Sequence, residues 1–322
     1  MCQRAALANG VARARGGARP RRRTLAHIAP PLLIADVPWL LYRAYFSVPE
    51  SVVDARGRPV NALLGTVNGL LTATQATEPR AVAACLGAEQ AAYRVRLYPP
   101  YHSHRDPMPK ALAAQWRRAP KLLHALGWTV TETDELEADD VMFSYASLER
   151  ERGGNALLLT ADRDLYAAVN DSVAVLELRP RAKVSRVGPA QVRERYGVGP
   201  EQVADFIALR GDPSDGLPGA PGIGAKTAAQ LLSRFGSLES LLAAAAQPRT
   251  VIAGELSPRL ASVLQENAAQ LAVFKQVATL QRIDVPTAPD GSTDYAAGAR
   301  AAGRLGMNGL AERLKGMATG RT

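Results

Sequence analysis

Short apolar runs alternate with longer amphipathic segments through the first half of the chain. Six runs of β-type residues predict four strands plus a fifth strand with an edge hairpin: Leu32 to Ala35, Arg80 to Leu86, Trp128 to Thr131, Ala156 to Thr160, Ser172 to Leu178 and Lys183 to Val187. Helical spacing lies between them, at Asn61 to about Thr77, Pro109 to Leu126 and Glu137 to Arg152. This alternation predicts an α/β fold with a mainly parallel central sheet flanked by helices.

Beyond Gly188 the strand signal stops, and helical patterns predict a second, all-helical part over residues 189–316. Its predicted helices are Pro189 to Tyr196, Pro200 to Leu209, Ala225 to Phe235, Leu238 to Ala246, Pro258 to Leu280, Tyr295 to Arg304 and Leu310 to Lys315. The α/β part covers residues 31–188, and residues 317–322 are predicted to form a short tail.

Charge is concentrated at the N-terminus of the 322-residue chain. Seven arginines precede the first acid, Asp36, and without them the net charge falls from +9 to +2. Residues 1–30 lack acids and a secretory apolar region, so we expect a disordered Arg-rich tail. A functionless arm, an organelle transit segment, a basic arm on nucleic acid and a non-native upstream extension all fit this tail.

Two cysteines exclude a disulfide framework and a Cys-rich zinc site, which makes a reducing compartment such as the cytoplasm the expected location. The longest apolar runs fall far short of the roughly 20 residues that cross a bilayer. We therefore expect a protein without a membrane span.

Eight acidic residues fall in four clusters, and three of these clusters directly follow predicted strands. They are Asp36; Glu137, Asp139 and Asp140; Asp162 and Asp164; and Asp212 and Asp215. Taken singly, such acids are ordinary helix caps or turn residues. Because the carboxyl ends of parallel strands meet at one edge of a sheet, we expect the clusters to converge there.

Converging carboxylates repel one another, and a divalent cation relieves that repulsion. The set holds only oxygen ligands, which favours Mg²⁺ or Mn²⁺ over zinc. A site with this many acids accommodates two ions, and two ions about 4 Å apart suit phosphodiester hydrolysis. The acids therefore predict a metal-dependent nuclease.

A glycine-rich turn at Gly222, Ile223 and Gly224 opens an amphipathic helix. Glycine lets the backbone approach a phosphate, which the first amides of the helix then bind. A nucleotide-binding Walker A loop is the alternative, but it requires lysine where Ala225 stands, and Lys226 comes one residue late. The turn therefore favours sequence-independent DNA contact.

Between Arg94 and His124, seven Lys or Arg residues, among them Arg94, Arg105 and Lys110, are interleaved with aromatic residues. Cations and aromatic rings suit a single-stranded or frayed DNA end. A solvated helix face with a few core aromatics explains the same pattern equally well.

The chain resembles the 5′-nuclease family, meaning the 5′-3′ exonuclease domain of bacterial DNA polymerase I and the flap endonucleases. The segments LEADDV, LTADRDL, RLYPPYHSHR, GDPSDGLPGAPGIGAKTA and RFGSLESLL carry the resemblance in the family's order, which spans about residues 31–314. No polymerase domain follows, so the stand-alone form is implied.

This resemblance implies a PIN-like nuclease core and a site for two Mg²⁺ or Mn²⁺ ions at the eight acids. It implies a helical arch at about residues 98–122, with Tyr101 and His102 at a threaded 5′ end. It also implies a helix-hairpin-helix at residues 216–236 whose Gly222 to Thr227 segment, with Lys226 and Thr227, holds duplex DNA together with K⁺. The implied activity is 5′-3′ exonuclease action preferentially on double-stranded DNA, with flap endonuclease activity, by a monomer in replication and repair.

Three departures from the family pattern bear on activity. Gly87 stands where the family has an aspartate, with Glu89 nearby; Val37-Pro38-Trp39 replaces small residues after Asp36; and His102 replaces a lysine. They motivate an alternative, a degenerate DNA-junction-binding protein without catalysis. A related fold acting on RNA is a third hypothesis, although nothing in the sequence indicates recognition of a 2′-hydroxyl.

Overall fold

The computed structural model describes residues 29–247 and 256–320. Within them, six strands form one sheet: β1 (Leu32–Asp36), β2 (Ala81–Cys85), β3 (Thr129–Thr131), β4 (Ala156–Leu159), β5 (Val173–Arg179) and β6 (Lys183–Val187). Their order is β3-β2-β1-β4-β5-β6. The first five strands are parallel and β6 is antiparallel to β5. The predicted mainly parallel sheet and all six strand segments are confirmed.

Helices flank this sheet and build the rest of the described chain. They are α1 (Val37–Ser47), α2 (Asn61–Thr77), α3 (Ala92–Leu97), α4 (Lys110–Trp116), α5 (Ala119–Ala125), α6 (Ala138–Glu151), α7 (Pro189–Tyr196), α8 (Val203–Arg210), α9 (Ala225–Phe235), α10 (Leu238–Ala245), α11 (Pro258–Glu266), α12 (Ala268–Ala278), α13 (Tyr295–Arg304) and α14 (Asn308–Ala318). None of the described helices is long and apolar enough to cross a membrane.

Two apolar cores lie on opposite faces of the sheet. One joins α6 to α8 through α12, and the other joins α1, α2, α4 and α5 to α13 and α14. The helices predicted as one C-terminal part are therefore divided between the two faces. Two hydrogen bonds hold the segment before α13 against the segment before β3. They run from Trp128 Nε1 to Thr293 Oγ1 (3.0 Å) and from Asp294 N to Leu126 O (2.8 Å).

Several helix boundaries differ from those predicted. Helix α1 was not predicted, yet the Asp36 side chain caps it and Pro38 occupies its first turn. The helix predicted from Pro109 to Leu126 is two helices, with Pro120 in the first turn of the second. The last helix continues to Ala318, so the predicted tail begins inside it. The tail predicted over residues 1–30 lies almost entirely outside the described residues.

The segment predicted as an arch packs against α2 rather than standing clear of the core. Gln115 of α4 is fully buried, and its Oε1 accepts hydrogen bonds from Ala62 N (2.8 Å) and Leu63 N (3.2 Å). Its Nε2 donates to Asn61 Oδ1 at 3.0 Å. Because the first amides of a helix have no partner within the helix, this amide side chain satisfies the start of α2. It also fixes α4 beside the site described below.

Candidate active site

A cavity of about 760 Å³ opens at the carboxyl ends of the central strands β1 and β4. These strands are neighbours, with Ala35 opposite Leu159, so the residues that follow them emerge side by side. The lining includes Asp36, Trp39, Tyr42, Glu89, Tyr101, His102, Arg105, Trp116, Glu137, Asp139, Asp162, Asp164 and Asp215. Six of the eight predicted site acids line this one cavity. Asp140 and Asp212 do not.

A threonine that was not predicted as a site residue joins the acids of β1 and β4. Thr160 Oγ1 donates to Asp36 Oδ2 at 2.8 Å and accepts a hydrogen bond from Asp162 N at 2.9 Å. The backbone amide of Asp164 in turn donates to Asp162 Oδ1 at 2.9 Å. This chain of bonds fixes the backbone from which three carboxylates enter the cavity. Its sequence signal is a hydroxyl residue at a strand end, two positions before an acid.

Asp36, Asp139, Asp162 and Asp164, here called the inner carboxylates, share one electrostatic condition. Within the described residues, none of them forms an ion pair with a basic side chain. Burial raises the pKa of Asp36 to about 6, although hydrogen bonds from Trp39 N and Thr160 oppose the rise. Burial first, and neighbouring carboxylates second, raise the pKa of Asp139 and Asp164 well above the usual range. The cavity therefore has a deficit of positive charge.

The other four acids, here called the paired carboxylates, each contact a basic side chain. Glu137 Oε2 and Asp140 Oδ1 lie 3.0 and 2.9 Å from the two terminal nitrogens of Arg94. Asp140 also accepts a hydrogen bond from Gln281 N at 2.7 Å. Burial raises the pKa of Asp140 even though Arg94 lowers it. Asp140, predicted as a metal ligand, thus lies in a buried ion pair outside the cavity.

Arg94 was predicted to bind DNA, but its position differs from that prediction. Its side chain is only 3% exposed, and Nε donates to Val277 O at 3.0 Å. The guanidinium is occupied by two carboxylates and a carbonyl on the interior side of α3. Sequence reasoning missed this because the partners lie 43 or more residues away along the chain. The structure instead makes Arg94 the internal counter-charge of Glu137 and Asp140.

Asp212 and Asp215 project from the turn after α8. Asp212 Oδ1 accepts from Ser214 N at 2.8 Å, and Asp212 Oδ2 lies 3.2 Å from Arg210 Nη2. Asp215 Oδ1 lies 3.0 Å from His102 Nε2 and 3.2 Å from Arg105 Nη2. Asp215 lines the cavity, whereas Asp212 caps its own turn.

Tyr101 and His102, predicted to meet DNA, are both buried at the cavity wall. Their rings stack with centroids 3.7 Å apart, and Tyr101 Oη donates to Glu137 Oε2 at 3.0 Å. Arg105 and Lys110, by contrast, are exposed as a DNA-binding role requires.

The packing around Gly87 leaves no room for a side chain at that position. A Cβ atom built there would lie 2.5 Å from Ala138 N and from Glu137 C, closer than real contacts allow. The loop before α6 occupies the space that a side chain would need. Glu89 lines the cavity two residues later, and its Oε1 accepts a hydrogen bond from Tyr42 Oη at 2.7 Å. Tyr42, on the unpredicted α1, is a further site residue that the sequence did not indicate.

The inner carboxylates match the chemistry of a hard divalent cation, because they are oxygen donors with no basic partner. As placed, no three His, Cys, Asp or Glu side chains in residues 29–247 and 256–320 form a group that could hold an ion. Ion binding therefore requires rotation of these side chains. A bound cation would favour this rotation, because it would offset the burial and mutual repulsion of carboxylates such as Asp139 and Asp164.

The glycine-rich turn lies before α9, as predicted. Gly222 has φ +77°, and nothing lies within 4 Å of a Cβ atom built there or at Gly224. Lys226 is exposed and Thr227 is half-buried. Ile223 is only 4% exposed and packs in the core, and its N–H donates to Ala220 O at 3.0 Å. The turn thus presents the backbone of Gly222 and Gly224 on an open surface.

The sheet, the carboxylate cavity and the attached helices define a carboxylate-lined α/β class of protein. The chain belongs to the 5′-3′ exonuclease family. The model of its N-terminal resolvase-like domain matches residues 31–197, and the model of its C-terminal SAM fold matches residues 198–295.

Relatives agree with this assignment, and solved structures share the fold. A 5′-3′ exonuclease of Streptomyces coelicolor is 37% identical over 303 residues, which cover 88% of this chain and 98% of that protein. A 5′-3′ exonuclease of Mycobacterium tuberculosis is 38% identical over 251 residues, covering 71% and 78%. The bacteriophage T5 protein co-crystallised with metal ions has a TM-score of 0.63 at 17% identity over 90% of this chain and 98% of its own. The catalytic core of Rad2 in complex with DNA substrate has a TM-score of 0.62 at 13% identity, covering 92% and 93%.

Proposed function

We propose that this protein is a 5′-3′ exonuclease that acts preferentially on double-stranded DNA, with flap endonuclease activity, through metal-dependent phosphodiester hydrolysis. The observation that carries the proposal is the group of inner carboxylates, which share one cavity without a basic partner. Family membership supports the reaction class, since the relatives above are named 5′-3′ exonucleases.

The inner carboxylates are the residues that would hold the divalent cations, for which we propose two Mg²⁺ or Mn²⁺ ions. Such ions stabilise the charge that develops on the phosphate and lower the pKa of an attacking water. Thr160 keeps Asp36 and Asp162 at a fixed separation along two neighbouring strands. The rigid sheet edge therefore brings the backbone of these residues together before substrate arrives, and their side chains rotate to bind the ions.

The DNA strand is proposed to approach over Arg105, which lines the cavity, and over Lys110, which is also exposed. Both provide positive charge for backbone phosphates. Trp39, Tyr42 and Trp116 line the same cavity and offer aromatic faces to an unpaired base. This arrangement suits a frayed or single-stranded 5′ end next to a duplex.

The duplex is proposed to bind at the turn before α9. Its open backbone and the amides at the start of the helix suit a phosphate, and Lys226 adds a nearby charge. We propose that Thr227 and the turn carbonyls also accommodate K⁺. Contact through the backbone reads no base sequence, which is consistent with a nuclease that selects DNA structure.

The direct test is cleavage of 5′-labelled duplex and 5′-flap DNA in Mg²⁺. We expect labelled products that disappear with EDTA and in Asp139→Asn. The matched control is Asp171→Asn, because Asp171 is an exposed acid just before β5, at the opposite end of the sheet. Cleavage by Asp139→Asn at the wild-type rate would refute the carboxylate mechanism.

A second candidate is a DNA-junction-binding protein without catalysis, and the closed space at Gly87 favours it. No side chain fits there, and Glu137 and Asp140 are already paired with Arg94. This candidate predicts tight binding of branched DNA with no product even in Mn²⁺. Metal-dependent product from the wild-type chain, absent in Asp139→Asn, would exclude it.

We also propose that the protein acts as a monomer in the cytoplasm, where its DNA substrate lies. Light scattering coupled to size-exclusion chromatography should give a mass near the 34.2 kDa of the chain. A stable dimer mass would contradict the monomer.

A further inference from the structure

Asp215 differs from the inner carboxylates because one of its oxygens is held by two side chains from a distant loop. His102 Nε2 lies 3.0 Å from Oδ1, and Arg105 Nη2 lies 3.2 Å from the same atom. Asp215 also lines the cavity with the inner carboxylates. It is therefore close enough to serve the site, yet it is directed toward the loop.

Backbone contacts join the same two segments. His102 N donates to Asp215 O at 3.3 Å, and Tyr98 Oη donates to Gly216 O at 3.4 Å. Arg105 Nε and Nη2 donate to Ser214 O at 3.3 and 3.2 Å. We refer to these contacts between residues 98–105 and residues 214–216 as the latch.

The latch is formed at an energetic cost within His102. Its backbone has φ +55°, in the left-handed region that non-glycine residues rarely adopt. The ring is 2% exposed, and its Nδ1 has no hydrogen-bond partner within the described residues. A buried nitrogen without a partner and a left-handed backbone both oppose folding. In this conformation the ring of His102 lies against the carboxylate of Asp215.

We propose that His102 and Arg105 are positioning residues that withhold Asp215 from the metal site until DNA binds. The inference rests on the proposed function, because it concerns the same divalent cation. In the DNA-free chain the cation is held by the inner carboxylates alone. A DNA phosphate that takes the N–H donors of Arg105 removes one of the two groups holding Asp215 Oδ1, and the carboxylate turns toward the ion. Substrate binding thus completes the ligand set.

The test measures Mn²⁺ affinity of the DNA-free protein from the electron paramagnetic resonance signal of free Mn²⁺. His102→Gly removes the ring and suits the left-handed backbone, and Arg105→Ala changes an exposed side chain. Each is expected to raise Mn²⁺ affinity about tenfold, the change that loss of one charge-assisted hydrogen bond to Asp215 permits. Asp215→Asn in the wild-type background should leave the DNA-free affinity unchanged.

Two comparisons separate this effect from a general change of charge or structure. Arg43→Ala removes an exposed arginine that stacks over Trp39, another residue of the cavity wall, and it should not raise the affinity. The double variants His102→Gly/Asp215→Asn and Arg105→Ala/Asp215→Asn should lose the whole gain. Arg105→Lys, which keeps the charge, should restore part of the wild-type behaviour.

The outcomes distinguish the latch from the proposed function. If Mn²⁺ binds in an Asp139-dependent manner but His102→Gly and Arg105→Ala bind it no more tightly than wild type, the latch is refuted and the nuclease proposal stands. A gain that persists in the Asp215→Asn background also refutes the latch. If no variant binds Mn²⁺, both proposals fail.

Discussion

The inner and paired carboxylates differ in how their negative charge is balanced, although they lie next to one another. The paired set carries its counter-charges within the chain, with Arg94 alone serving Glu137 and Asp140. The inner set has none within ion-pair distance in the described residues, and burial raises its pKa values. Burial of an unpaired charge carries one of the largest free-energy penalties in protein folding. Where a structure tolerates that cost, an external cation is the physical explanation.

The comparison also distinguishes two roles that look the same in the sequence. Asp139 and Asp140 are adjacent in one helix turn, yet one faces the cavity and the other is fully buried on Arg94. A one-residue step rotates a helical side chain by about 100°, which is enough to change its partner entirely. The rate of cleavage should therefore depend most on the inner set, whereas the Arg94 pair with Glu137 and Asp140 should matter chiefly for stability.

The largest expected effect comes from removing one inner charge. Asp164→Asn should lower the rate of flap cleavage by on the order of 10³-fold. The substitution removes a ligand of the cation that stabilises the negative charge developing in the transition state. Asp212→Asn, which alters a paired carboxylate outside the cavity, should cost about 10- to 100-fold. Single-turnover rates in saturating Mg²⁺ measure both. Equal losses would remove the functional distinction between the two sets.

The next effect is on stability and concerns the paired set. Arg94→Met leaves Glu137 and Asp140 without their cation and should lower the free energy of unfolding by about 3 to 5 kcal/mol. Urea denaturation provides the measurement. Arg282→Met breaks the exposed pair with Glu151 and should cost under about 1 kcal/mol. A similar small cost for Arg94→Met would show that the buried carboxylates do not depend on it.

The pH dependence of stability provides a third test, on metal-free protein in EDTA. The pKa of Asp36 is raised from its ordinary 3.8 to about 6, so the folded state disfavours its ionised form. This penalty is absent below pH 4, grows between pH 4 and 6, and is complete above that range. Relative to wild type, Asp36→Asn should therefore gain on the order of 2 to 3 kcal/mol between pH 4 and 7. A pH-independent difference between the two proteins would contradict the assigned burial cost.

The smallest expected effect concerns Gly87, where the backbone before α6 fills the space of a side chain. Gly87→Ala would force apart the backbone at Glu137 and Ala138 and should destabilise the fold by about 1 to 3 kcal/mol. Gly309→Ala, in the open face of α14, should instead stabilise by about 0.5 to 1 kcal/mol. Thermal unfolding compares the two variants. If Gly87→Ala destabilises the fold while Gly309→Ala stabilises it, close packing accounts for the glycine at position 87.

Much of the architecture could be predicted from hydrophobic periodicity. All six strands follow runs of β-type residues, and α2 begins and ends where its pattern does, at Asn61 and Thr77. Helix α1 was not predicted because Val37-Pro38-Trp39 was interpreted as a departure from the family, although an Asp two residues before a Pro is a helix-start signal. Local sequence thus specified the elements better than their boundaries.

The site could be predicted only as far as strand order determines it. The sequence placed acids after strands, and parallel pairing brought Asp36 and Asp162 together. It could not show that Arg94 would turn inward or that His102 would contact Asp215, since these pairs are separated by 43 to 113 residues. Charge pairing across such distances depends on packing that no local pattern records.

The decisive experiment is to soak crystals of the protein with Mn²⁺ and to locate the ions by anomalous scattering. Anomalous peaks are expected among the carboxylate oxygens of Asp36, Asp139, Asp162 and Asp164, with none between Arg94, Glu137 and Asp140. Peaks coordinated by Glu137 and Asp140, or no peak at the inner carboxylates at saturating Mn²⁺, would contradict it.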